Sequence, residues 1–144
     1  MMIFDANNAV LGRIASRAAK ALLNGEEVFI VNAEHAVIGG DPRNTIDRYK
    51  ARRGARNKAN PEHSPHWSRR PDMLVKRIVR GMIPFDRPRG KIAIKRLRVY
   101  MGVPDELKSK KVEPVEREIK AHAKFIVIKD LCRELGWYGQ TSDR

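Results

Sequence analysis

The stretch RRPDMLVKRIVRGMIPFDRPRGKIAIKRLRVYMGVP, residues 69–104, decides how the rest of the chain is organised. Apolar residues recur in its first part at the i, i+3, i+4, i+7 spacing of an amphipathic helix. These residues are Leu74, Val75, Ile78, Val79 and Met82. Lys76, Arg77 and Arg80 fall on the other side of that helix. The sequence therefore predicts a helix that buries one face and presents cations on the other.

A second basic pattern follows within the same stretch. Gly81 and Pro84 end the helix, and a turn is predicted at Pro88 and Gly90. A shorter apolar pattern then begins, formed by Ala93, Ile94 and Leu97. The basic residues interleaved with it are Lys91, Lys95, Arg96 and Arg98. We expect both apolar patterns to pack inward and to hold these basic side chains on the surface.

The positive charge of the chain is concentrated in residues 43–98. This segment has 18 Lys or Arg residues and 4 acidic residues, which gives it a net charge of +14. The whole chain of 144 residues has a net charge of +13, so the remainder is close to neutral. Cations crowded in this way repel one another unless an anion binds them. The pattern therefore favours docking on a polyanion over a merely solvated basic face.

Length and composition fit one domain over residues 1–144, with 42% hydrophobic residues for its core. No apolar run approaches the roughly 18 to 20 residues that span a bilayer, and the N-terminus lacks the layout of a signal peptide. We expect a soluble, cytoplasmic protein with no membrane partner. Cys132 is the only cysteine, so it has no internal disulfide partner, and its helical surroundings favour a buried hydrophobic role over a catalytic thiol.

The N-terminal part of the chain predicts a strand, a helix and a second strand. Residues 3–5 are typical of a short buried strand, and an apolar helix face extends over residues 10–23. Asn7 or Asn8 is expected to cap the start of this helix. Residues 28–31 are all apolar, as in a strand that is covered on both faces of a parallel sheet. This order of elements predicts a βαβ unit.

Two nearby patterns are candidate binding sites. The cations of the first helix, Arg13, Arg17 and Lys20, either face solvent or contact nucleic acid. The segment IGGDPRN, residues 38–44, has neither the GxGxxG nor the GxxxxGK[ST] spacing of a phosphate loop. It predicts instead a turn that leads into a helix started by proline.

Residues 54–68, GARNKANPEHSPHWS, have almost no aliphatic side chains and follow a helix predicted at residues 45–53. Loops of about 15 residues are uncommon in compact domains unless they have a function. Arginines flank this segment, and Trp67 is suited to stacking on a base or a ribose, so we interpret it as an arm that becomes ordered on RNA. His63 and His66 have no Cys or third His nearby, which argues against a metal site.

The C-terminal residues 105–144 are interpreted as an extension that packs on the domain. Strands are predicted at residues 99–101 and 125–128, and a helix follows the second of them. Trp137 and Tyr138 come directly after this helix. Packing on the domain is the default expectation for them, with a contact to a neighbouring protein as the alternative.

The sequence resembles the large-subunit ribosomal protein thirteen family in its archaeal form. The matching segments run nearly end to end and are DANNAVLGRIAS (5–16), IVNAE (30–34), ARRG (51–54), RIVRGMIP (77–84), RGKIAIKRLRVYMGVP (89–104) and LCRELGW (131–137). The resemblance implies an α/β fold of three layers, α/β/α, with a central and mostly parallel sheet of four strands. Two features depart from the family pattern: Phe85 and Asp86 replace a polar or basic pair, and the tail has the GW ending instead of the bacterial His-Pro-His type.

The resemblance implies a structural constituent of the large ribosomal subunit that binds its ribosomal RNA beside neighbouring ribosomal proteins and supports assembly and translation. Binding would work by phosphate neutralisation and shape fit, without metal, cofactor or small-molecule substrate. An enzyme acting on nucleic acid would need placed acids or a cofactor loop, which the basic segment lacks. A free RNA-binding translational regulator would use the same surface and stays open. The residues expected to contact RNA are Arg48, Arg52, Arg53, Arg56, Lys58, Trp67, Arg69, Arg70, Lys76, Arg77, Arg80, Arg87, Arg89, Lys91, Lys95, Arg96 and Arg98.

Overall fold

Strands and helices alternate along the chain in the computed structural model, which describes residues 1–110, 112 and 124–139. In chain order the elements are β1 Met2–Asp5, α1 Leu11–Leu23, β2 Val28–Val31, β3 Val37–Gly39, α2 Pro42–Gly54, α3 Pro71–Gly81, α4 Pro88–Lys95, β4 Leu97–Val99, α5 Asp105–Lys108, β5 Phe125–Val127 and α6 Ile128–Glu134. Short 3₁₀ turns lie at Ala33–His35 and Pro61–His63.

Three strands form a parallel sheet with β2 in the centre. On one side Val28 of β2 lies opposite Met2 of β1, and on the other side it lies opposite Leu97 of β4. The chain passes from β1 to β2 through α1, so the predicted βαβ unit is confirmed. The central position of β2 explains its uninterrupted apolar run, because both of its faces are covered.

The resemblance implied a fourth strand in this sheet, whereas the sheet formed by the described residues has three. The remaining strands, β3 and β5, pair antiparallel with each other, with Val37 opposite Val127 and Ile38 opposite Ile126. A single parallel bridge joins Val37 to Val10, just before α1. The sequence did not predict β3, because Ile38 and Gly39 belong to the segment 38–44, whose pattern predicts a turn that leads into α2.

The two faces of the parallel sheet carry different amounts of cover. Phe4, Ile30 and Leu97 point into the main core, which they share with apolar residues of α1, α3 and α6. Because side chains alternate along a strand, their neighbours point to the opposite face. There Ile3 and Val31 form a second cluster with Leu107 of α5, against which the half-buried Phe29 and Tyr100 pack. Most of the apolar burial is therefore on the side of α1 and α3.

α1 is the helix that its apolar pattern predicts, but its start differs from the expectation. Val10 is the N-cap residue and no side chain caps the helix, so the prediction that Asn7 or Asn8 does so is wrong. Asn8 instead occupies a left-handed position, with φ of 54°, in the turn before the helix. At the other end Gly25, with φ of 96°, donates its backbone N–H to the Leu22 carbonyl and closes the last turn.

α3 confirms the predicted amphipathic helix, with one difference in its apolar face. Leu74, Val75 and Val79 are fully buried, as expected. Ile78 is only half-buried, and Met82 is 44% exposed although the pattern predicted it inward. Met82 follows the last helical residue, so the chain has turned away at that point and Ile83 takes the buried place.

α4 also differs from the expected turn around Gly90. The helix starts at Pro88, which suits the first helical position because proline needs no hydrogen-bond acceptor there. Gly90 lies inside this first turn and is buried against the preceding loop. A Cβ atom at Gly90 would overlap with the backbone carbonyl of Pro84. The glycine therefore serves a close backbone approach and not a turn.

The strand and the helix predicted near the C-terminus are confirmed where the structure describes them. The strand predicted at residues 125–128 is β5, Phe125–Val127, and α6 follows directly. The strand predicted at residues 99–101 lies two residues earlier, as β4. Leu107 of α5 and the apolar face of α6 pack on the domain. The rest of the predicted extension, residues 111, 113–123 and 140–144, lies outside the described part of the chain.

Cys132 is fully buried in α6, as its helical surroundings predicted. Burial raises the pKa of its thiol to about 12, and the negative charge of Asp72 acts in the same direction. The thiol is therefore protonated at neutral pH. A protonated and inaccessible thiol fits a packing role, because nucleophilic cysteines react as thiolates.

Candidate nucleic acid interface

The residues expected to contact RNA lie on α2, on the following arm (residues 54–68) and the residues after it, on α3, on α4 and on β4. Most of them are exposed. Arg53, Trp67, Lys76 and Arg77 are half-buried, and the other 13 are exposed. The side chains thus have the accessibility that binding a polyanion requires.

α2 presents arginines because its own sequence has only a narrow apolar side. Asp41 begins the helix by accepting a hydrogen bond from the Asn44 amide at 3.3 Å, and Pro42 takes the first helical position. Tyr49 of this helix is buried and Ile46 is half-buried. Most of the remaining positions are polar, so α2 offers arginines over much of its circumference.

Trp67 joins α2, the arm and α3. Its ring meets the ring of Tyr49 edge to face, with 6.1 Å between the centroids. The guanidinium of Arg77 lies 4.0 Å from the Trp67 ring centroid, and that of Arg52 lies 5.2 Å from it. Arg77 also donates a hydrogen bond of 2.6 Å to the His66 carbonyl. The ring therefore holds two arginines in place, where the sequence suggested a platform open for stacking.

The arm has its own hydrogen-bonded shape. The backbone N–H of Asn57 donates to Ser64 Oγ at 3.0 Å. The side-chain oxygen Asn57 Oδ1 accepts from the backbone N–H of Asn60 at 3.1 Å. The Ser64 amide donates in turn to the Pro61 carbonyl at 3.1 Å. These bonds fold the segment on itself as a compact surface loop. That this arm becomes ordered on RNA stays a prediction.

Two of the arginines expected to contact RNA cap the ends of helices within the protein. Arg53 Nη1 donates to the Leu135 carbonyl at the end of α6, at 3.3 Å. Arg89 Nη2 donates to the Leu23 carbonyl at the end of α1, at 2.8 Å. A cation at this position satisfies an otherwise unpaired carbonyl and complements the helix dipole. The pKa of Arg53 is lowered by its partial burial and, to a smaller extent, by the positive charge of Arg69.

Arg70 is paired with an acid inside the protein. Its Nη2 and Nε atoms donate to Asp72 Oδ2 and Oδ1 at 2.8 and 3.2 Å, a two-point contact. Asp72 sits in the first turn of α3, where a negative charge is favourable. The charge of Arg70 is thus largely neutralised within the protein, and this arginine offers less to a phosphate than its exposure suggests.

Phe85 is a site residue that the sequence reasoning missed. The guanidinium of Arg80 lies 3.8 Å from the Phe85 ring centroid, in a cation–π contact. The sequence comparison had treated Phe85 only as a departure from the family pattern. An aromatic residue shortly after an arginine at the end of a helix was the available indication, because the turn that follows brings the two together.

Ten of the expected residues keep their donors available. None of these ten side chains makes a hydrogen bond or ion pair with another residue that the structure describes. They are Arg48, Arg56, Lys58, Arg69, Lys76, Arg87, Lys91, Lys95, Arg96 and Arg98. Their N–H groups are free to bind phosphate oxygens without breaking a contact inside the protein.

The structure does not bring all the expected residues to one patch. Leu97 points into the main core and Val99 packs against it, so Arg98 between them extends from the opposite face of the sheet. Its cross-strand neighbour there is Phe29. Arg98 is therefore separated by the sheet from the arm and from α3.

The described residues contain neither a metal-ligand cluster nor a helix suited to crossing a membrane. Within residues 1–110, 112 and 124–139, no group of three His, Cys, Asp or Glu side chains is placed to hold a metal ion. His63 and His66 accordingly have no third ligand among the described residues. None of the described helices has the length and apolarity to cross a membrane.

Comparisons with known proteins point to one family. A family model described as "Ribosomal protein L13" matches residues 1–106, which include every residue expected to contact RNA. "Large ribosomal subunit protein uL13" of Methanococcoides burtonii is 45% identical over 139 residues, which cover 94% of this chain and 98% of that protein. The proteins of the same name from Archaeoglobus fulgidus and Methanocaldococcus jannaschii are each 40% identical, covering 95% and 94% of this chain and 88% and 98% of their own length.

Proposed function

Because the chain belongs to the ribosomal protein L13 family, we propose that it binds large-subunit ribosomal RNA as a structural component of the subunit. Members of this family are ribosomal proteins and not enzymes. The part of the chain proposed to contact the RNA is the surface formed by α2, the arm, α3 and α4. Through these contacts the protein would support subunit assembly and translation in the cytoplasmic ribosome, beside neighbouring ribosomal proteins.

The observation that carries this proposal is the set of ten basic side chains that have no partner within residues 1–110, 112 and 124–139. Paired cations would have to exchange a protein contact for an RNA contact, whereas these ten lose only water and counterions. Release of counterions from the RNA is the main driving force when cations meet phosphates. The segment that holds them has a net charge of +14, so the field around it attracts a polyanion from a distance.

Aromatic contacts support the same proposal. Arg77 and Arg80 lie over the rings of Trp67 and Phe85, at 4.0 and 3.8 Å from the centroids. An arginine held on a ring has less freedom to lose when its planar fork binds a phosphate. Shape-specific recognition of folded RNA needs such fixed donors, because the sequence of a duplex is not readable in its deep major groove.

We also propose that residues 1–144 form one domain with the α/β/α layering implied by the family resemblance. The second apolar cluster supports this arrangement, since Leu107 of α5 already packs with Ile3 and Val31 on the face of the sheet opposite α1. α5 would then belong to the third layer.

The experiment compares two matched double variants. Lys76→Ala with Lys95→Ala removes two cations of the proposed surface that have no partner among the described residues, and Lys110→Ala with Lys129→Ala removes two such cations from outside it. We expect the first pair to weaken binding to large-subunit ribosomal RNA and to lower the salt dependence of log Kd by about 1.4 to 1.8. Gradient co-sedimentation with large subunits in high magnesium would fall in parallel. Equal losses in the two double variants would refute the proposed surface.

A further inference from the structure

A cavity of about 340 Å³ opens between the C-terminal end of α2 and the arm. Its wall is formed by Arg53, Ala55, Arg56, Pro61, Ser64, Pro65, His66 and Trp67. Ligand pockets span roughly 300 to 1,000 Å³, so this cavity is at the small end of that range. Its size suits one unit of a polymer, such as a single nucleotide, and excludes a nucleic acid helix.

The wall of this cavity has an excess of positive charge. Arg53 and Arg56 both line it, and no carboxylate does. Arg53 is held in place by the bond from its Nη1 to the Leu135 carbonyl, which leaves its other N–H groups for a ligand. Arg56 is exposed and has no partner among the described residues. Two guanidinium groups without an acid form a site for an anion, and a phosphate fits their fork geometry.

The other side of the cavity offers flat or ring-shaped surfaces. Pro61 and Pro65 contribute their rings, and His66 and Trp67 contribute an imidazole and an indole. Proteins that read single-stranded RNA stack its splayed bases on aromatic rings and on histidine. A paired base does not reach such a surface, because it remains stacked inside the duplex.

The cavity wall is fastened to the core of the domain. Arg77 of α3 donates to the His66 carbonyl at 2.6 Å and lies over the Trp67 ring. Trp67 itself packs against buried residues of the main core. The ring-bearing side is therefore fixed before a ligand arrives, and binding does not have to order it.

We propose that this cavity binds one unpaired nucleotide of RNA, with the phosphate on Arg53 and Arg56 and the base against Pro61, Pro65 and the edge of Trp67. The inference rests on the proposed function and adds to it a site that distinguishes single-stranded from duplex RNA. The other nine unpaired cations of the interface have no such preference, because every phosphate attracts them.

The test uses the full chain and the fluorescence of Trp67. Trp67 and Trp137 are the two tryptophans, so Trp137→Phe leaves Trp67 as the reporter. An oligouridylate of about eight nucleotides and an RNA duplex of the same length are each titrated into the protein at one fixed salt concentration. We expect the single strand to quench Trp67. Arg56→Ala should weaken single-strand binding by about tenfold, and duplex binding, in which Arg56 is one of several phosphate contacts, by at most about threefold.

The matched control is Arg98→Ala, which removes the same side chain from the opposite face of the sheet. We expect it to leave the preference for the single strand unchanged. The nucleotide site is refuted if Arg56→Ala weakens both RNAs equally, or if saturating single strand leaves Trp67 fluorescence unaltered. In either of those cases, retained binding to ribosomal RNA would keep the proposed function intact. If the unaltered protein failed to bind ribosomal RNA at all, both the proposed function and the nucleotide site would be refuted.

Discussion

Individual arginines in the basic segment have different partners, and this decides what each of them contributes. Arg89 caps a helix, Arg70 pairs with an acid, and Arg80, which is itself exposed, lies over the Phe85 ring. Arg77 is half-buried and bonds both to a ring and to a backbone carbonyl. Residue type and spacing alone place Arg77 and Arg80 in one class, whereas their surroundings separate them.

We expect Arg77→Ala to lower the free energy of unfolding by about 1 to 2 kcal/mol, because it removes a charge-assisted hydrogen bond and a cation–π contact in a half-buried place. Arg80→Ala should cost at most about 0.5 to 1 kcal/mol, since Arg80 is exposed and the contact that is lost is the one with the Phe85 ring. Urea denaturation of the two variants at pH 7 measures the difference. Arg77→Lys is the control that keeps the charge but loses the planar fork.

Equal stability of Arg77→Ala and Arg80→Ala would show that the contacts of Arg77 with the Trp67 ring and the His66 carbonyl contribute no more to folding than the contact of Arg80 with Phe85. We expect both variants to weaken RNA binding, so affinity by itself would not separate the two roles.

At the scale of elements, the two faces of α3 have different roles, packing in the core and presenting cations. Its buried face contacts α1, β4 and α6, and its outer face carries the cations. Leu74 is 1% exposed and lies in the middle of that core, whereas Ile78 is half-buried near its edge. The periodicity identified both residues as inward but could not rank them, because depth depends on what packs above them.

Leu74→Ala should therefore lower the free energy of unfolding by about 2 to 5 kcal/mol, through lost burial and the cavity that remains. Ile78→Ala should cost less than Leu74→Ala, because part of the isoleucine is already in contact with water. Thermal and urea unfolding of the two variants provide the comparison. A larger loss for Ile78→Ala would mean that α3 is rotated about its axis relative to the described packing, and that its RNA-facing side is assigned wrongly.

At the scale of the whole molecule, the positive charge is concentrated in one segment. Residues 43–98 have a net charge of +14, whereas the rest of the sequence sums to −1. Ten of the cations expected to contact RNA have no partner among the described residues, and one of them, Arg98, lies on the opposite face of the sheet. At most nine of these ten can therefore share one surface with α3 and the arm.

We expect affinity for ribosomal RNA to fall by about 10³ to 10⁵ between 50 and 200 mM salt, if roughly six to ten phosphates are neutralised on duplex-like RNA. A filter-binding titration at four salt concentrations gives the slope. A flat response would contradict the electrostatic mechanism and would point to binding through apolar surfaces. Polymer length and magnesium concentration must be held constant across the series, since both change the counterions released.

The sequence by itself determined the features that neighbouring residues encode. The apolar faces of α1 and α3, the continuous apolar strand β2 and the proline-started helix α2 were all predictable, because a helix or buried strand repeats its pattern within a few residues. The concentration of charge was equally visible, since it requires only counting. The matching motifs placed the chain in its family before any contact was known.

Only the tertiary structure decided the features that need a partner far along the chain. β3 exists because β5 pairs with it, and Arg53 and Arg89 cap helices whose ends are distant in sequence. Trp67 became an anchor because α2 and α3 bring Tyr49 and Arg77 to its ring. Local periodicity fixes which face of an element is apolar, but folding fixes which side chains meet, and those meetings determine which cations remain for RNA.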